Sequence, residues 1–422
     1  MRQAWPPPAN RQYAEQTVPA DVRWIVGLAA ELELGTAEAA VLQVQGRGES
    51  LRVTRLAAVA GPLVCPGEKP ARPEQLGFEA HQLALLMPVW LQRLLQLIHQ
   101  ATERAAVSWH EVVCVGLLEP WLTLAGEPGR ALGLLIPWAA HLAEMTGWSV
   151  AHAFGLRDLA AGGLARPVTA AADGLLFSSP NEDRLVIHLG EELYLHWLPR
   201  QGSWSAIRGT LVLPGLGLLD RLTAALTGGR ENADRSGHLA VQGRMLPDLL
   251  ARWQAHPALL SQESRALMRS AFAHDWVRAV AELARQRNWS AFDVLCTACH
   301  WLADNLAGAL ARLQLPAPCL RMIVTGHGCR NGFLWQLLLD KLRPASLETS
   351  DPFGLPADSA QAARAALLAA FLLDQVPASV PRVTGSSGPR LLGQWTPGSL
   401  SNWARCLHWM TLGCEPLVWD EA

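Results

Sequence analysis

The feature that most constrains the fold is a repeated order of elements, because each half of the chain starts with a predicted β-hairpin. Residues 21–46 predict a strand, a turn near Gly35 and a second strand, and residues 182–199 predict a strand pair about a turn at Gly190. Alternating strand-like and helix-like runs follow each hairpin, which is the pattern of a mixed or parallel sheet with flanking helices. We therefore predict an α/β protein with a duplicated architecture of two mixed β-sheets flanked by helices.

The chain has 422 residues, which is enough for two domains with complete cores. After the first hairpin, residues 79–105 predict a helix, and the apolar run at 111–120 predicts a short buried strand. The predicted organisation is a flexible N-terminal tail (1–20), an N-terminal domain (21–180), a C-terminal domain (181–398) and a C-terminal extension (399–422). The apolar residues of that extension are expected to pack on the body of the protein or on a partner.

A second constraining stretch is RMIVTGHGCRNGFLWQLLLD, residues 321–340. Ile323 and Val324 indicate a strand, a Gly-His-Gly turn follows, and apolar residues then recur at helical spacing. Such a turn brings backbone N–H groups and a helix N-terminus to one point, where an anion can bind. On local grounds this stretch predicts a phosphate or nucleotide site.

Composition excludes several classes of function. Half of the residues are hydrophobic and 17% are charged, which is typical of a globular protein. The formal net charge is −2, and no basic stripe of the kind that nucleic acid requires is present. The N-terminus has no apolar leader, and Pro88 and Arg93 interrupt the most apolar helix candidate. We expect a cytoplasmic protein that binds neither nucleic acid nor membrane.

The eight cysteines are expected to be reduced, since they are scattered through a long chain. One group, Cys296, Cys299 and His300 in the run CTACH, matches the pattern of covalent haem attachment. It lies within a long helix-like run whose apolar residues recur on one side, and small thiols are common in protein cores. The preferred interpretation is a buried helix, with haem attachment as the alternative, and no metal ligand set is predicted.

Three segments resemble the anhydro-N-acetylmuramic acid kinases, and together with their order they extend the resemblance over residues 23–398. They are TGWSVAHAFGLRDLAAGGLARPV, VTGHGCRNGFLWQLL and VPRVTGSSGPRLLGQWTPG. The resemblance implies the actin-like sugar-kinase fold, in which two domains close over ATP in the cleft between them. It also implies ATP and Mg²⁺ as cofactors, an anhydro-amino-sugar from peptidoglycan as the small-molecule substrate, and a possible homodimer. In that reaction water opens the anhydro ring while the phosphoryl group is transferred, and an aspartate acts as the general base.

The resemblance assigns roles to individual residues. Asp158 aligns with the catalytic base, although an ordinary helix-capping or surface aspartate is the alternative interpretation. Gly162 and Gly163 match the substrate-binding segment. The nucleotide-binding candidates are Gly35, Thr36, Gly190, Pro214, Gly215, Gly326, Gly328, Arg330 and Asn331.

The chain also departs from the family at polar positions of the cleft. The family's first phosphate loop, G-T-S/T-x-D-G, aligns with ELELGT, so that Glu31 and Glu33 replace small phosphate-facing residues. The middle glycine of the C/T-G-G-G-x-R-N segment is His327, and Ala153 replaces an aspartate. Because phosphoryl transfer depends on positioning and charge neutralisation, we predict weak or lost catalysis.

Three hypotheses about function stay open. The first is a working ATP-dependent amino-sugar kinase, and the second is a catalytically weak or inactive pseudokinase that binds a ligand or partner. The third is an enzyme with a repurposed cleft, for which the candidate residues are His188, His196, His327 and Glu119.

Overall fold

A computed structural model describes most of the chain: residues 22–32, 34–63, 80–124, 132–136, 138–200, 203–212, 215–255 and 271–412. Four sequence-based expectations therefore lie outside the described residues, namely the tail at 1–20, Glu33, Pro214 and the end of the extension beyond Leu412. Within the described ranges, no helix is long and apolar enough to cross a membrane.

The strands of the described residues are β1 (Val22–Glu31), β2 (Thr36–Gln45), β3 (Arg52–Pro62), β4 (Val112–Leu118), β5 (Trp121–Leu124), β6 (Leu132–Leu135), β7 (Ser149–His152), β8 (Arg184–Leu189), β9 (Leu193–Leu198), β10 (Arg208–Val212), β11 (Arg321–Thr325), β12 (Ser346–Thr349) and β13 (Gln394–Thr396). The helices are α1 (Ala80–Ala105), α2 (Trp138–Thr146), α3 (Phe154–Ala160), α4 (Ala170–Phe177), α5 (Leu216–Leu226), α6 (Pro247–Gln254), α7 (Ala271–Arg287), α8 (Ala291–Arg312), α9 (Gly332–Lys341), α10 (Ala360–Leu373), α11 (Pro381–Thr384) and α12 (Leu400–Thr411).

The two large sheets have the same topology. The first runs β3-β2-β1-β4-β7-β13, and the second runs β10-β9-β8-β11-β12. In each sheet the first three strands pair antiparallel as a meander, and the next two strands join in parallel on the other side of the first strand. The predicted duplication, in which each half starts with a hairpin, is confirmed. The predicted α/β class, with two mixed sheets flanked by helices, is likewise confirmed.

Helix α10 packs directly on the first sheet, and its alanine-rich sequence explains how. Its residues are almost all buried, and they join side chains of both sheets in one apolar core. Gly27 of β1 and Gly116 of β4 allow the closest approach, because a Cβ at either position would overlap a backbone carbonyl of α10. The helix therefore starts beside the carboxyl end of β1, where the candidate site lies.

The end of the chain also returns to the first sheet. Strand β13 pairs antiparallel with β7, and α12 packs against β4 and β7. Asn402 of α12 accepts a hydrogen bond from the Ser149 backbone N–H at 2.7 Å, and Cys406 is fully buried. The described part of the C-terminal extension thus packs on the body of the protein.

The run containing Cys296, Cys299 and His300 lies in α8, which starts with a hydrogen-bonded Ser290 cap. Both thiols are buried, and Cys299 belongs to the apolar core of the second half. Burial raises the pKa of the Cys299 thiol, so the neutral thiol behaves as a small apolar side chain there. This is the environment that the buried-helix interpretation predicts.

Candidate functional site

A cavity of about 90 Å³ lies where the carboxyl ends of β1 and β4 meet the turn between β8 and β9. Its lining includes Glu31, Glu119, Glu191, Arg166 and Tyr194. Ligand sites of α/β proteins form outside the carboxyl ends of strands, so this cavity and its walls are the candidate functional site.

Glu31 ends β1 and connects the two hairpin turns. Its Oε1 accepts a hydrogen bond from the Glu191 backbone N–H at 3.0 Å, and the same oxygen lies 3.8 Å from His188 Nε2. Its other oxygen, Oε2, is buried and has no hydrogen-bond partner in the part of the chain that the structure describes. Burial raises the pKa of Glu31 above its ordinary value, and the nearby His327 opposes that rise only in part. The turn of the first sheet is thus tied to the turn of the second sheet by a carboxyl group.

Glu38 lies on β2 and caps the start of α10. Its Oε2 accepts hydrogen bonds from the backbone N–H groups of Gln361 at 3.0 Å and Ala362 at 3.1 Å. Burial, followed by the neighbouring charge of Glu31, raises the pKa of Glu38 well above its ordinary value. The positive end of the helix dipole favours a carboxylate at this position.

His327 occupies the loop after β11, at the position of the middle glycine in the family segment. Its Nε2 lies 4.0 Å from Glu38 Oε1 and has no hydrogen-bond partner among the residues that the structure describes. Burial lowers the pKa of His327, which favours the neutral ring with a free lone pair. One ligand atom from each of Glu31, Glu38 and His327 lies within 4.8 Å of the other two. We call these three residues the Glu-Glu-His cluster.

Sequence reasoning did not join these three residues. The sequence shows Glu31 and His327 as departures from two different family motifs, and Glu38 belongs to no motif. One signal for Glu38 was present: an acidic residue in the alanine- and valine-rich strand TAEAAVLQV must be buried with the strand. Its partners were hidden because they come from distant parts of the chain.

Asp158, the predicted base, is fully buried in α3 and is not part of the cavity lining. Its Oδ1 accepts a hydrogen bond from the Thr384 hydroxyl at 2.7 Å, and its Oδ2 accepts one from the Ala165 backbone N–H at 3.0 Å. Gly163 packs so closely that a Cβ there would overlap Oδ2. Asp158 therefore holds two loops together on the side of α3.

The other predicted substrate and loop residues have backbone roles. Gly162 adopts φ of +82° and Gly35 adopts φ of +62°, both with open space around the Cα, so each turn requires glycine for its backbone conformation alone. Thr36 begins β2, directly opposite Glu31 in the pairing of β1 with β2. Its hydroxyl is buried and has no hydrogen-bond partner within the described ranges.

The predicted nucleotide-binding glycines lie where backbones meet. A Cβ at Gly190 would overlap Glu31 Oε1, and a Cβ at Gly215 would overlap the Glu191 carbonyl oxygen. Gly326 adopts φ of +93° against the Leu189 carbonyl, and Gly328 packs against the Leu189 side chain. Each of the four glycines is required by a contact within the protein.

The two polar residues of the same predicted set are paired within the chain. Arg330 forms an ion pair with Asp358. The Asn331 side chain caps α9 by accepting from the Leu334 N–H at 2.9 Å, and it donates to the Asp234 carbonyl at 3.1 Å. Both side chains are thus engaged with neighbouring segments.

Glu119 follows β4 and contributes a second carboxyl group to the cavity. Its Oε1 accepts a hydrogen bond from the Ala153 N–H at 2.8 Å and lies 3.4 Å from His152 Nδ1. Ala153 is the position where the family has an aspartate, and here it adopts a left-handed φ of +58°. The Glu119 carboxyl group therefore accepts a hydrogen bond from the backbone of Ala153, the position that aligns with an aspartate of the family.

A fully buried charge network lies beneath the cavity. Arg364 of α10 donates to Asp173 Oδ1 at 2.6 Å, and His196 Nδ1 donates to Asp173 Oδ2 at 2.7 Å. Burial by itself would raise the pKa of Asp173, but Arg364 and His196 outweigh it and lower that pKa. Burial lowers the pKa of His196, which keeps the ring neutral. His188 Nδ1 lies 3.0 Å from the Thr325 hydroxyl, whereas His196 Nε2 is buried without a hydrogen-bond partner among the described residues. Both histidines thus belong to a buried network that joins α10 to the second sheet.

Comparison of the sequence with known proteins assigns the chain to a family. The sequence profile of the family "Anhydro-N-acetylmuramic acid kinase" matches residues 79–398. The chain is 28% identical over 384 residues to the anhydro-N-acetylmuramic acid kinase of Acaryochloris marina, which covers 88% of this chain and 98% of that protein. It is 34% identical over 274 residues to the enzyme of the same name from Synechococcus elongatus, which covers 64% of this chain and 71% of the relative.

Solved structures are more distant. Component A of the (R)-2-hydroxyglutaryl-CoA dehydratase of Acidaminococcus fermentans aligns with a TM-score of 0.41 at 12% identity, over 82% of this chain and 96% of that chain. A ROK family glucokinase from Streptomyces griseus aligns with a TM-score of 0.35 at 14% identity, over 82% and 98%. The family profile and the curated relatives decide the assignment: the chain belongs to the anhydro-N-acetylmuramic acid kinase family.

Proposed function

We propose that this protein keeps the fold of its kinase family while its ATP-dependent phosphorylation of the anhydro-amino-sugar is weak or lost. The observation that supports this most directly is the hydrogen bond from the Glu191 N–H to Glu31 Oε1. In the family the first turn carries small phosphate-facing residues. Here a carboxyl group stands in that turn and already occupies a backbone donor of the opposite turn.

The residues present do not fit a triphosphate at this position. Without a bridging metal ion, two unit negative charges about 4 Å apart repel by about 4 kcal/mol at the effective dielectric constant of a protein surface. That energy corresponds to about a thousandfold loss of affinity. Even when protonated, Glu31 retains its bond to Glu191 and blocks the donor. ATP and Mg²⁺ remain the expected cofactors of any residual reaction, and the small-molecule substrate remains an amino sugar.

The alternative within the same fold is a non-catalytic pseudokinase that binds a ligand or partner. The hydrogen bond between the Glu191 N–H and Glu31 favours this alternative, because it joins the two turns without a bound nucleotide. We further propose a cytoplasmic location. A homodimer is expected from the family resemblance.

The test combines ATP binding with turnover. Thermal unfolding of the purified full chain is followed with and without millimolar ATP and Mg²⁺, and ADP release is measured with the anhydro-amino-sugar present. We expect little stabilisation by ATP in the native protein, because a ligand that binds the folded state raises its apparent stability. We expect Glu31→Gly, which restores the family residue, to gain stabilisation by ATP. Glu182→Gln, at an exposed ion pair outside the cavity lining, is the matched control.

Three results distinguish a working kinase, a weakened kinase and a non-catalytic protein. Robust ADP release that disappears in Asp158→Asn would overturn the proposal and establish a working kinase. Weak release that increases in Glu31→Gly supports a weakened kinase. The absence of both ATP stabilisation and ADP release, in the native protein and in Glu31→Gly, supports the non-catalytic alternative.

A further inference from the structure

The Glu-Glu-His cluster is arranged by strand pairing. Glu31 is directly opposite Thr36 in the antiparallel pair of β1 and β2, and Glu38 follows Thr36 by two residues. Alternate residues of a strand point to the same face, and directly paired residues share a face. The side chains of Glu31, Thr36 and Glu38 therefore project together on the face that meets α10. His327 reaches them from the loop of the second sheet.

Unpartnered polar atoms mark the same space. Among the described residues, Glu31 Oε2, His327 Nε2 and Thr36 Oγ1 are buried and have no hydrogen-bond partner. Thr36 is only 6% exposed. Buried polar groups are normally hydrogen-bonded, so unpartnered atoms on two residues of the cluster, and on Thr36 opposite Glu31, point to a ligand. This evidence for a ligand does not depend on the number of acidic residues in the cluster.

We propose that Glu31, Glu38 and His327 bind a divalent transition-metal ion of the zinc class. Two carboxylates and one imidazole nitrogen form a mixed oxygen and nitrogen ligand set, which suits Zn²⁺ and related ions. Mg²⁺ and Ca²⁺ prefer oxygen ligands alone, so the histidine selects against them. Three protein ligands leave at least one coordination position for water or an anion.

The cluster is partly preorganised for this ion. In a tetrahedral zinc site with ligand bonds of about 2.0 Å, ligand atoms lie about 3.3 Å apart. The corresponding atoms here lie within 4.8 Å of one another, and Glu38 Oε1 is 4.0 Å from His327 Nε2. Side-chain movements on the order of 1 Å close that gap. Each carboxylate also has one oxygen held by backbone N–H groups, which is the outer-shell support that orients metal ligands.

Two of the three ligands are departures from the family. Glu31 stands in the eroded phosphate loop, and His327 stands at the middle glycine of the opposite segment. A metal site thus forms from the same substitutions that removed the phosphate cradle. The inference goes beyond the proposed function, because metal binding is measured without nucleotide and without substrate.

The test is calorimetric titration of the chelator-treated full chain with ZnCl₂, MnCl₂ and MgCl₂ in separate runs. We expect one Zn²⁺ per chain and much weaker binding of Mg²⁺. His327→Gly and Glu38→Gln are each expected to weaken Zn²⁺ binding at least tenfold, because even outer-shell changes cost 10–100-fold in metal affinity. Glu182→Gln, which removes a carboxyl group outside the cavity lining, is the matched control and is expected to keep the native affinity.

Cobalt provides a second readout. Co²⁺ bound by nitrogen and oxygen ligands in tetrahedral geometry gives a visible absorption that is expected in the native protein and lost in His327→Gly. Circular dichroism of each variant checks that it is folded. Zn²⁺ affinity that is unchanged in His327→Gly and Glu38→Gln, or no Zn²⁺ binding to the native chain, overturns the inference. Neither result affects the ATP experiment, so the two proposals fail separately.

Discussion

Replacing Arg364 by methionine tests whether the buried charge network joins α10 to the second sheet. The substitution keeps an apolar side chain of similar length and removes the guanidinium. Arg364 is fully buried, and its Nε donates to Asp173 Oδ1 at 2.6 Å while its Nη2 donates to the Thr325 hydroxyl at 3.2 Å. The guanidinium also lies 5.6 Å from the centre of the Tyr194 ring.

The expected loss is about 3–5 kcal/mol in the free energy of unfolding, the usual cost of removing one partner of a buried ion pair. After the change, Asp173 retains only His196 as a close polar partner among the contacts described above. Burial then raises the pKa of Asp173 without opposition from Arg364. The loss should therefore be larger at pH 8 than at pH 5.5, where Asp173 can take up a proton.

Urea unfolding measures this loss as a shift of the midpoint at constant m-value. The companion variant is Asp173→Asn, whose amide oxygen can still accept from His196. In the Asp173→Asn background, Arg364→Met should lower the free energy of unfolding by at least about 1.5 kcal/mol less than in the native protein. The reason is that no buried carboxylate is then left without its cationic partner. A cost below about 1 kcal/mol for the single variant, or strictly additive costs in the double variant, would refute the reasoning.

Three further predictions concern other residues of the site. Asp158→Ala should lower the free energy of unfolding by about 1–3 kcal/mol, because the Ala165 N–H loses its acceptor, whereas Asp158→Asn should cost less. Gly215→Ala should lower the free energy of unfolding by about 1–3 kcal/mol, because the new Cβ overlaps the Glu191 carbonyl. Gly35→Ala should cost less, because that position has open space and carries only the penalty of a positive φ. Thermal unfolding compares the two variants. His196 has a folded-state pKa lowered by burial, so the unfolded chain binds more protons below about pH 6.5 and stability should fall there as pH falls. His196→Gln should flatten that part of the pH profile, and an unchanged slope would contradict the assignment.

Much of the fold follows from local patterns. The turn at Gly190, the helix predicted at 79–105 and the buried strand predicted at 111–120 all correspond to elements of the structure. These signals are local because alternation, helical spacing and turn glycines act over a few residues. The return of α10, β13 and α12 to the first sheet had no local signal. The position of α10 depends on close packing at Gly27 and Gly116. The positions of β13 and α12 depend on pairing with β7 and on the bond between Asn402 and Ser149.

The candidate site was harder to predict than the fold. Alignment to the family directed attention to Asp158, whose side chain is buried between two loops. The Glu-Glu-His cluster depends instead on a strand register and on a loop from the second half of the chain. Each residue has an ordinary structural explanation when taken alone. Their chemistry follows only from the distances between them, which a single sequence does not contain.

The surviving glycine motifs report on the fold more than on nucleotide binding. Gly190, Gly215, Gly326 and Gly328 each face a backbone or side chain of this protein at a distance that excludes a Cβ. Selection for folding alone would therefore keep all four, whether or not ATP binds. Glu31, by contrast, places a side chain between the two turns, where its carboxyl group accepts a bond from the Glu191 N–H. In this chain the glycine motifs are thus explained by the architecture, and the test of nucleotide binding lies with the side chains between them.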